Sequence, residues 1–179
     1  APHRNQPMTK DDIEQRLKDT LRAEHVVWLD HGNLVGDDTD GHIDTIVRTA
    51  PENTLLYVGC DDSHDEQYED FLALEHQLMG LRTSTGMPYR LLRLPMPDAI
   101  YDEGERLPAT YANFLIINGA VICPTYAQPE KDKQALQTIA QAYPDREIIG
   151  IDARTVIKQH GSLHCLTMQF PQGVIANNP

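Results

Sequence analysis

The feature that most constrains the fold is one order of elements that the chain uses twice. Apolar runs and turn signals predict two strands, one amphipathic helix and a third strand in each stretch. The first stretch has predicted strands at Ile43–Arg48, Thr54–Val58 and Tyr89–Leu94 and a helix over 66–80. The second has strands at Phe114–Ile117, Ala120–Cys123 and Glu147–Ile151 and a helix over 130–142. This repetition indicates an α/β repeat architecture, with an ordinary α/β or α+β domain as the alternative.

Three further segments carry weaker patterns. Apolar residues recur every fourth position over 10–23, behind a capping-box sequence that begins at Thr9, which predicts a helix. The segments His25–Leu29 and Ser162–Phe170 are predicted to be strands. The connection over 95–111 has three prolines and little periodicity, which favours a loop beside a functional site.

Composition excludes several classes of function. The 179 residues suffice for one domain, and 15 basic against 27 acidic residues give a net charge of −12. This balance argues against a nucleic-acid partner and suits a small cationic substrate, or simply an acidic solvated surface. No apolar run approaches the ~18 residues of a membrane span, so no membrane association is expected. Three widely spaced cysteines favour a reducing compartment, and we expect a cytoplasmic protein.

The loop over 30–42 is dense in glycine, aspartate and histidine, and it ends in a His-x-Asp sequence. Spacing by two would place His42 and Asp44 on one face of a strand. In a shared cavity the histidine could move protons, while the carboxylate could bind a cation or orient the histidine. The alternative is a hydrogen-bonded turn histidine beside an aspartate that starts a strand.

The same loop adds a carboxylate cluster at Asp37, Asp38 and Asp40, which makes a calcium-regulated binding domain an alternative class. In an EF-hand alignment, however, Gly36 and Val47 would occupy the first and last ligand positions, and neither side chain can bind calcium. The histidines and cysteines also lack zinc-ligand spacing. We therefore expect no metal and no cofactor.

Cys165 is the candidate nucleophile, with a small buried hydrophobic residue as the alternative. On a strand its neighbour His164 would point to the opposite face, so the base should come from elsewhere in the chain. Carboxylates, a histidine and a thiol together suit a guanidinium group. Carboxylates can bind it through paired hydrogen bonds, a thiolate can attack its central carbon, and a histidine can protonate the departing nitrogen.

Four motifs in order resemble those of agmatine deiminases and the related bacterial peptidylarginine deiminases. They are Arg4-Asn5-Gln6-Pro7 with the following Ile13-Glu14-x-x-Leu17-Lys18, the loop Gly36–Asp44 (GDDTDGHID), the segment Tyr111–Gly119 (YANFLIING), and Ser162–Gln169 (SLHCLTMQ). The similarity extends over nearly the whole chain.

The resemblance implies the pentein fold, an α/β propeller of strand-strand-helix-strand units, here a partial propeller of roughly two to three units. It implies Cys165 as nucleophile, His42 as general acid and base, and Asp44 as a catalytic carboxylate that binds the guanidinium. Asp38 and Gly161 are implied as further substrate contacts. The implied reaction converts agmatine to N-carbamoylputrescine and ammonia in polyamine biosynthesis, through an amidino-thioether on the cysteine.

Two departures from the family pattern bear on activity. The family chain is about twice as long, so residues 1–179 resemble the C-terminal part of one catalytic domain whose N-terminal half, with a second guanidinium-binding aspartate, is absent. We therefore expect weak or no activity, and association as a homo-oligomer or with the missing half. The family's glycine run before the cysteine is reduced to Gly161, which leaves peptidyl or free arginine as alternative substrates. A non-catalytic interaction module is the alternative from another class.

Overall fold

The computed structural model describes residues 4–171, 173 and 174, which divide into a small unit up to Asp30 and a larger one from His31 onward. In the small unit, helix α1 runs over Lys10–Leu21 and confirms the predicted helix. Its capping box is complete, because the Thr9 side chain and the Asp12 side chain each accept from the other's backbone N–H.

The predicted strand at His25–Leu29 is wrong, since the segment has no regular secondary structure. It pairs with no strand in the part of the chain that the structure describes. Instead, the Trp28 indole N–H donates to Glu14 at 2.9 Å, and the Lys10 ammonium lies 4.9 Å from the centre of the Trp28 ring. The hydrophobicity of Trp28 suggested a buried strand, but its indole N–H and its ring instead contact side chains of α1.

The first predicted strand-strand-helix-strand unit is confirmed, except that its first strand begins at Val47 and not at Ile43, because Ile43–Thr45 form a 3-10 helix. It consists of β1 (Val47–Ala50), β2 (Thr54–Gly59), α2 (Tyr68–Gly80) and β3 (Arg90–Pro95). Strand β2 lies in the centre, antiparallel to β1 and parallel to β3, and every one of its residues is buried. Helix α2 buries Phe71, Leu74 and Leu78, whereas Met79, which the apolar periodicity placed on the same face, is exposed.

The connection over 95–111 contains a short hairpin that the sequence did not predict, formed by β4 (Tyr101–Asp102) and β5 (Glu105–Arg106). The Arg106 guanidinium donates two hydrogen bonds to the Asp65 carboxylate, at 2.6 and 3.0 Å, and both side chains are mostly buried. Burial alone would raise the pKa of Asp65, but the hydrogen bonds from Arg106 and from the Gln67 backbone hold that pKa below its ordinary value.

This ion pair gives a pH-dependent prediction. Because the folded pKa of Asp65 is depressed, its stabilising contribution is complete above about pH 4 and is lost as the pH falls through the folded value. We expect Asp65→Asn to lower the free energy of unfolding at pH 7 by about 2–4 kcal/mol, with a smaller difference at pH 3. Urea unfolding at both pH values measures it.

The matched control is Asp98→Asn, which removes an exposed carboxylate paired with Lys131. That substitution is expected to change stability by less than about 1 kcal/mol at either pH. A loss for Asp65→Asn that is equally large at pH 3 and pH 7 would contradict the electrostatic origin of the effect.

The second predicted unit is also confirmed, with β6 (Leu115–Ile117), β7 (Ala120–Thr125), α3 (Pro129–Ala142) and β8 (Glu147–Asp152). Its sheet has the same topology as the first, with a central strand antiparallel to the strand before it and parallel to the strand after the helix. The fold is mixed α/β, as predicted. Closure of such units into a partial propeller stays a prediction.

Arg48 joins the two strand-strand-helix-strand units to each other. Its guanidinium donates to the carbonyl oxygens of Ala112 and Phe114, at 3.1 and 2.6 Å, and lies 4.5 Å from the centre of the Phe114 ring. The Tyr143 hydroxyl donates to the Thr49 carbonyl at 3.2 Å, and its ring packs edge-on against Phe114. These contacts fix the start of β1 against the segment that enters β6. Among the residues that the structure describes, no helix is long and apolar enough to cross a membrane.

Candidate active site

Three non-strand segments meet where the two units join. A 3-10 helix over Ile43–Thr45 leads into β1, the segment 110–114 leads into β6, and a 3-10 helix over His164–Leu166 lies near the end of the chain. Asp44, Asn113 and Cys165 each lie in one of them. The site thus assembles residues about 50 and 120 positions apart.

The four side chains of Asp44, Asn113, His164 and Cys165 form one hydrogen-bonded cluster. Asp44 Oδ2 lies 2.6 Å from His164 Nδ1, 2.9 Å from Asn113 Nδ2 and 3.8 Å from Cys165 Sγ. Asn113 Nδ2 lies 3.3 Å from the same sulphur. Asn113 is fully buried, whereas Cys165 is exposed, so the thiol lies at the open side of the cluster.

The Asp44 carboxylate is ionised at neutral pH. Partial burial would raise its pKa, but the hydrogen bond from His164 and the positive charges of His164 and Arg48 outweigh burial and lower that pKa. A fixed anion beside an exposed thiol can bind and orient a cationic reactant next to the sulphur.

The prediction that Ser162–Phe170 is a strand is wrong, and with it the argument that excluded His164. The backbone N–H groups of His164 and Cys165 donate to Asn113 Oδ1, at 2.9 and 3.3 Å, instead of to a neighbouring strand. In the resulting 3-10 helix, consecutive side chains point about 120° apart. His164 and Cys165 can therefore both approach Asp44.

His42 and Asp44 do not lie on a strand face as predicted. His42 immediately precedes the 3-10 helix, and its carbonyl accepts from the Thr45 hydroxyl at 2.7 Å. The residue is exposed, two positions before Asp44. Asp38 is exposed earlier in the same loop and lies outside the cluster that contains Asp44.

Gly36 and His160 bring this loop towards the segment that carries the cysteine. At Gly36 a side chain would meet the Arg106 carbonyl oxygen at 2.3 Å, and φ is +86°, so only glycine fits there. The Gly36 carbonyl lies 2.9 Å from His160 Nδ1. Beside His160, a Cβ added to Gly161 would lie 3.4 Å from Cys165 Cβ, so this glycine borders Cys165.

The three cysteines have different environments, and all three are free thiols. Cys60, which follows β2, and Cys123, which lies within β7, are both buried. Burial raises the pKa of the Cys60 thiol, and it raises the pKa of the Cys123 thiol to about 12. Cys165 is the exposed one, so a reagent in solution should react there first.

The structure thus brings Asp44, Gly161 and Cys165 together, and adds Asn113 and His164. Sequence reasoning missed the last two as site residues. The position of Asn113 within the YANFLIING motif was the sequence signal that could have identified it as a site residue. His164 was excluded because the segment around it was predicted to be a strand. In the part of the chain that the structure describes, no group of three or more His, Cys, Asp or Glu residues could hold a metal ion.

An exposed cysteine beside a partly buried carboxylate and a histidine, on paired α/β units, is an arrangement typical of α/β proteins that use a cysteine nucleophile. A sequence profile of the Porphyromonas-type peptidyl-arginine deiminases matches residues 1–171. A curated Marinomonas sp. (strain MWYL1) protein named "Putative agmatine deiminase" is 35% identical over 188 residues, covering 96% of this chain and 50% of that protein. The chain belongs to the Porphyromonas-type peptidyl-arginine deiminase family.

Solved structures agree with this membership. The crystal structure of the "Putative Arginine Deiminase" from Porphyromonas gingivalis has 53% identity and a TM-score of 0.93, covering 96% of this chain and 50% of that one. A cysteine-to-serine variant of the C. jejuni agmatine deiminase with substrate bound has 39% identity and a TM-score of 0.82, covering 89% and 46%. The chain therefore spans about half the length of the relatives it matches.

Proposed function

We propose that the chain carries the nucleophile half of a guanidine deiminase, an enzyme that replaces one guanidinium nitrogen by oxygen. The observation that carries the proposal is the ionised Asp44 carboxylate 3.8 Å from the exposed Cys165 sulphur. A planar cation bound by this carboxylate would present its carbon to the thiolate. Family membership and the names of the relatives, which are arginine and agmatine deiminases, support the same chemistry.

In the first half-reaction, the Cys165 thiolate attacks the guanidinium carbon and forms a C–S bond. The C–N bond to one terminal nitrogen then breaks, and ammonia leaves with a proton from protonated His42. The product is a cationic amidino-thioether on Cys165. Asp44 stays ionised throughout and binds the remaining N–H groups of that cation.

In the second half-reaction, neutral His42 takes a proton from water as the water oxygen attacks the amidino carbon. The C–S bond breaks, the thiolate departs and a ureido product forms. One further proton from the hydrolysed cation passes through solvent to ammonia. The net change is guanidinium plus water to urea derivative plus ammonium, and the enzyme regains its thiolate and its protonated histidine.

Agmatine is the proposed substrate, because an acidic chain suits a substrate with a second cationic end and no carboxylate. Its ureido product would enter polyamine synthesis. Free or peptidyl arginine is the second candidate, favoured by the higher identity to the arginine deiminase structure than to the agmatine deiminase structure, 53% against 39%. Three free thiols support a reducing compartment such as the cytoplasm.

Full turnover by residues 1–179 alone is not expected, because the second guanidinium-binding aspartate implied by the family resemblance belongs to a segment outside residues 1–179. Loss of one such contact removes both orientation and charge stabilisation. The proposal is therefore tested on the covalent half-reaction, which depends on residues that the chain contains.

The experiment incubates the chain with agmatine, free arginine or a short arginine peptide, quenches it in acid and maps adducts by mass spectrometry. An adduct on Cys165 with the mass of the substrate less ammonia is the expected result, formed faster with agmatine than with either arginine compound. Faster reaction of an arginine compound would replace agmatine as the substrate. Absence of adducts with all three compounds would contradict the deiminase proposal for this site.

A further inference from the structure

Asn113 is the buried centre of the candidate site. It is one of the largest fully buried side chains of the chain, and it is an amide among mostly apolar ones. Its side chain faces Asp44 on one side and the His164–Cys165 backbone on the other. Burial of an amide is costly unless its donors and acceptors are paired, so a residue of this kind in a core calls for a specific role.

Every hydrogen-bonding position of this amide is used. Oδ1 accepts from the backbone N–H groups of His164 and Cys165. Nδ2 donates to Asp44 Oδ2 at 2.9 Å and to Cys165 Sγ at 3.3 Å. A reversed amide would place its NH₂ group against two N–H donors and its oxygen against a carboxylate, which fixes the orientation.

We propose that Asn113 is a catalytic residue of this site, which donates a hydrogen bond to the Cys165 sulphur and so stabilises its thiolate. Its oxygen simultaneously holds the turn that presents the thiol, and its second N–H fixes Asp44. This inference rests on the proposed function, in which the Cys165 sulphur is the attacking atom. A donor fixed by burial gains strength when the sulphur becomes charged, because hydrogen bonds to ions are about twice as strong as neutral ones.

The hydrogen bond from Asn113 to the Cys165 thiolate offsets the repulsion from the nearby Asp44 carboxylate. Asp44 lies 3.8 Å from the sulphur, and a second negative charge at that distance opposes thiolate formation. The titratable and charged groups that face the pair are Arg48, whose charge acts on both groups, and His164, which is hydrogen-bonded to Asp44. Within the cluster of Asp44, Asn113, His164 and Cys165, the side chain that donates an N–H to the sulphur itself is Asn113.

The test measures the rate of Cys165 alkylation by iodoacetamide across pH 5–10, with peptide mapping to separate it from Cys60 and Cys123. In Asn113→Ala we expect the midpoint of the pH profile to move up by about one unit, a roughly tenfold lower rate at a fixed pH below it. Asn113→Asp keeps the shape and adds a negative charge, so its midpoint should move further. An unshifted midpoint in a folded Asn113→Ala would overturn the proposal.

Gln128→Ala is the matched control, because the Gln128 side-chain amide also makes two hydrogen bonds to the main chain. Its Oε1 accepts from the Asp98 backbone N–H, and its Nε2 donates to the Asp98 carbonyl oxygen. Its alkylation profile should superimpose on that of the parent. Where neither Asn113 variant folds, the side-chain ¹⁵N–H signals of Asn113 in the parent decide. They should titrate with the alkylation midpoint, and signals indifferent to pH over that range would overturn the proposal. A shifted profile in a chain that forms no adduct with agmatine, free arginine or the arginine peptide would contradict the proposed function and leave only the stabilisation of the Cys165 thiolate by Asn113 standing.

Discussion

Cys165→Ser is expected to abolish adduct formation with every guanidino compound, with a rate loss of about 10⁴-fold or more. Removal of a nucleophile typically costs this much, because the rest of the site cannot replace the covalent step. A serine hydroxyl at the same position ionises far less readily than a thiol, and Asp44 at 3.8 Å disfavours a second anion. Quenched-flow sampling with mass spectrometry of the intact protein gives the rate.

Cys60→Ser is the matched control for this substitution. Cys60 is buried at the end of β2, and its thiol contacts the Asp62 carbonyl and not the Asp44 cluster. This variant should lose some stability and keep the adduct rate of the parent. An adduct that persists in Cys165→Ser and disappears in Cys60→Ser would place the nucleophile at Cys60 and contradict its assignment to Cys165.

Asp44→Asn is expected to weaken guanidinium binding about 100-fold or more. The substitution keeps the shape but removes the charge that binds the cation, and it leaves the His164 ring beside a neutral amide. The measurement is protection of Cys165 from iodoacetamide by increasing agmatine, which yields an apparent dissociation constant without requiring turnover. Because Asp44 is hydrogen-bonded to both Asn113 and His164, the melting temperature of the variant is also measured to detect any loss of folding.

Asp152→Asn is the charge-matched control, because Asp152 is an exposed carboxylate paired with Arg154. Its protection curve should coincide with that of the parent, since it changes net charge by the same amount at a remote surface. Equal protection of Asp44→Asn and the parent would contradict a role for Asp44 in binding the guanidinium.

The two α/β units could be predicted because local patterns and tertiary packing agree in them. The strand β2 is a continuous apolar run and is buried along its whole length, and Asn118-Gly119 forms the turn between β6 and β7. The short hairpin at β4 and β5 escaped prediction because two-residue strands have no measurable periodicity.

The segments around the site could not be predicted in the same way. Ser162–Phe170 has a strand-like composition, but its backbone donors bond to Asn113, which lies about 50 residues earlier in the chain. Composition does not reveal such a partner. The same holds for Arg48, whose position within β1 hides its bonds to the carbonyls that precede β6. Local sequence indicated Asp44 and Cys165 as candidates, whereas long-range polar contacts decide how their side chains are oriented.

In the proposed site, Cys165 and Asp44 together bind a guanidinium group and attack its carbon. A chloroacetamidine carried on an agmatine-like amine tests it most directly, with peptide mapping of all three cysteines. The account predicts selective labelling of Cys165, competed by agmatine, lost in Cys165→Ser and slowed about 100-fold in Asp44→Asn. Labelling that is spread over Cys60, Cys123 and Cys165, or that agmatine does not slow, would contradict it.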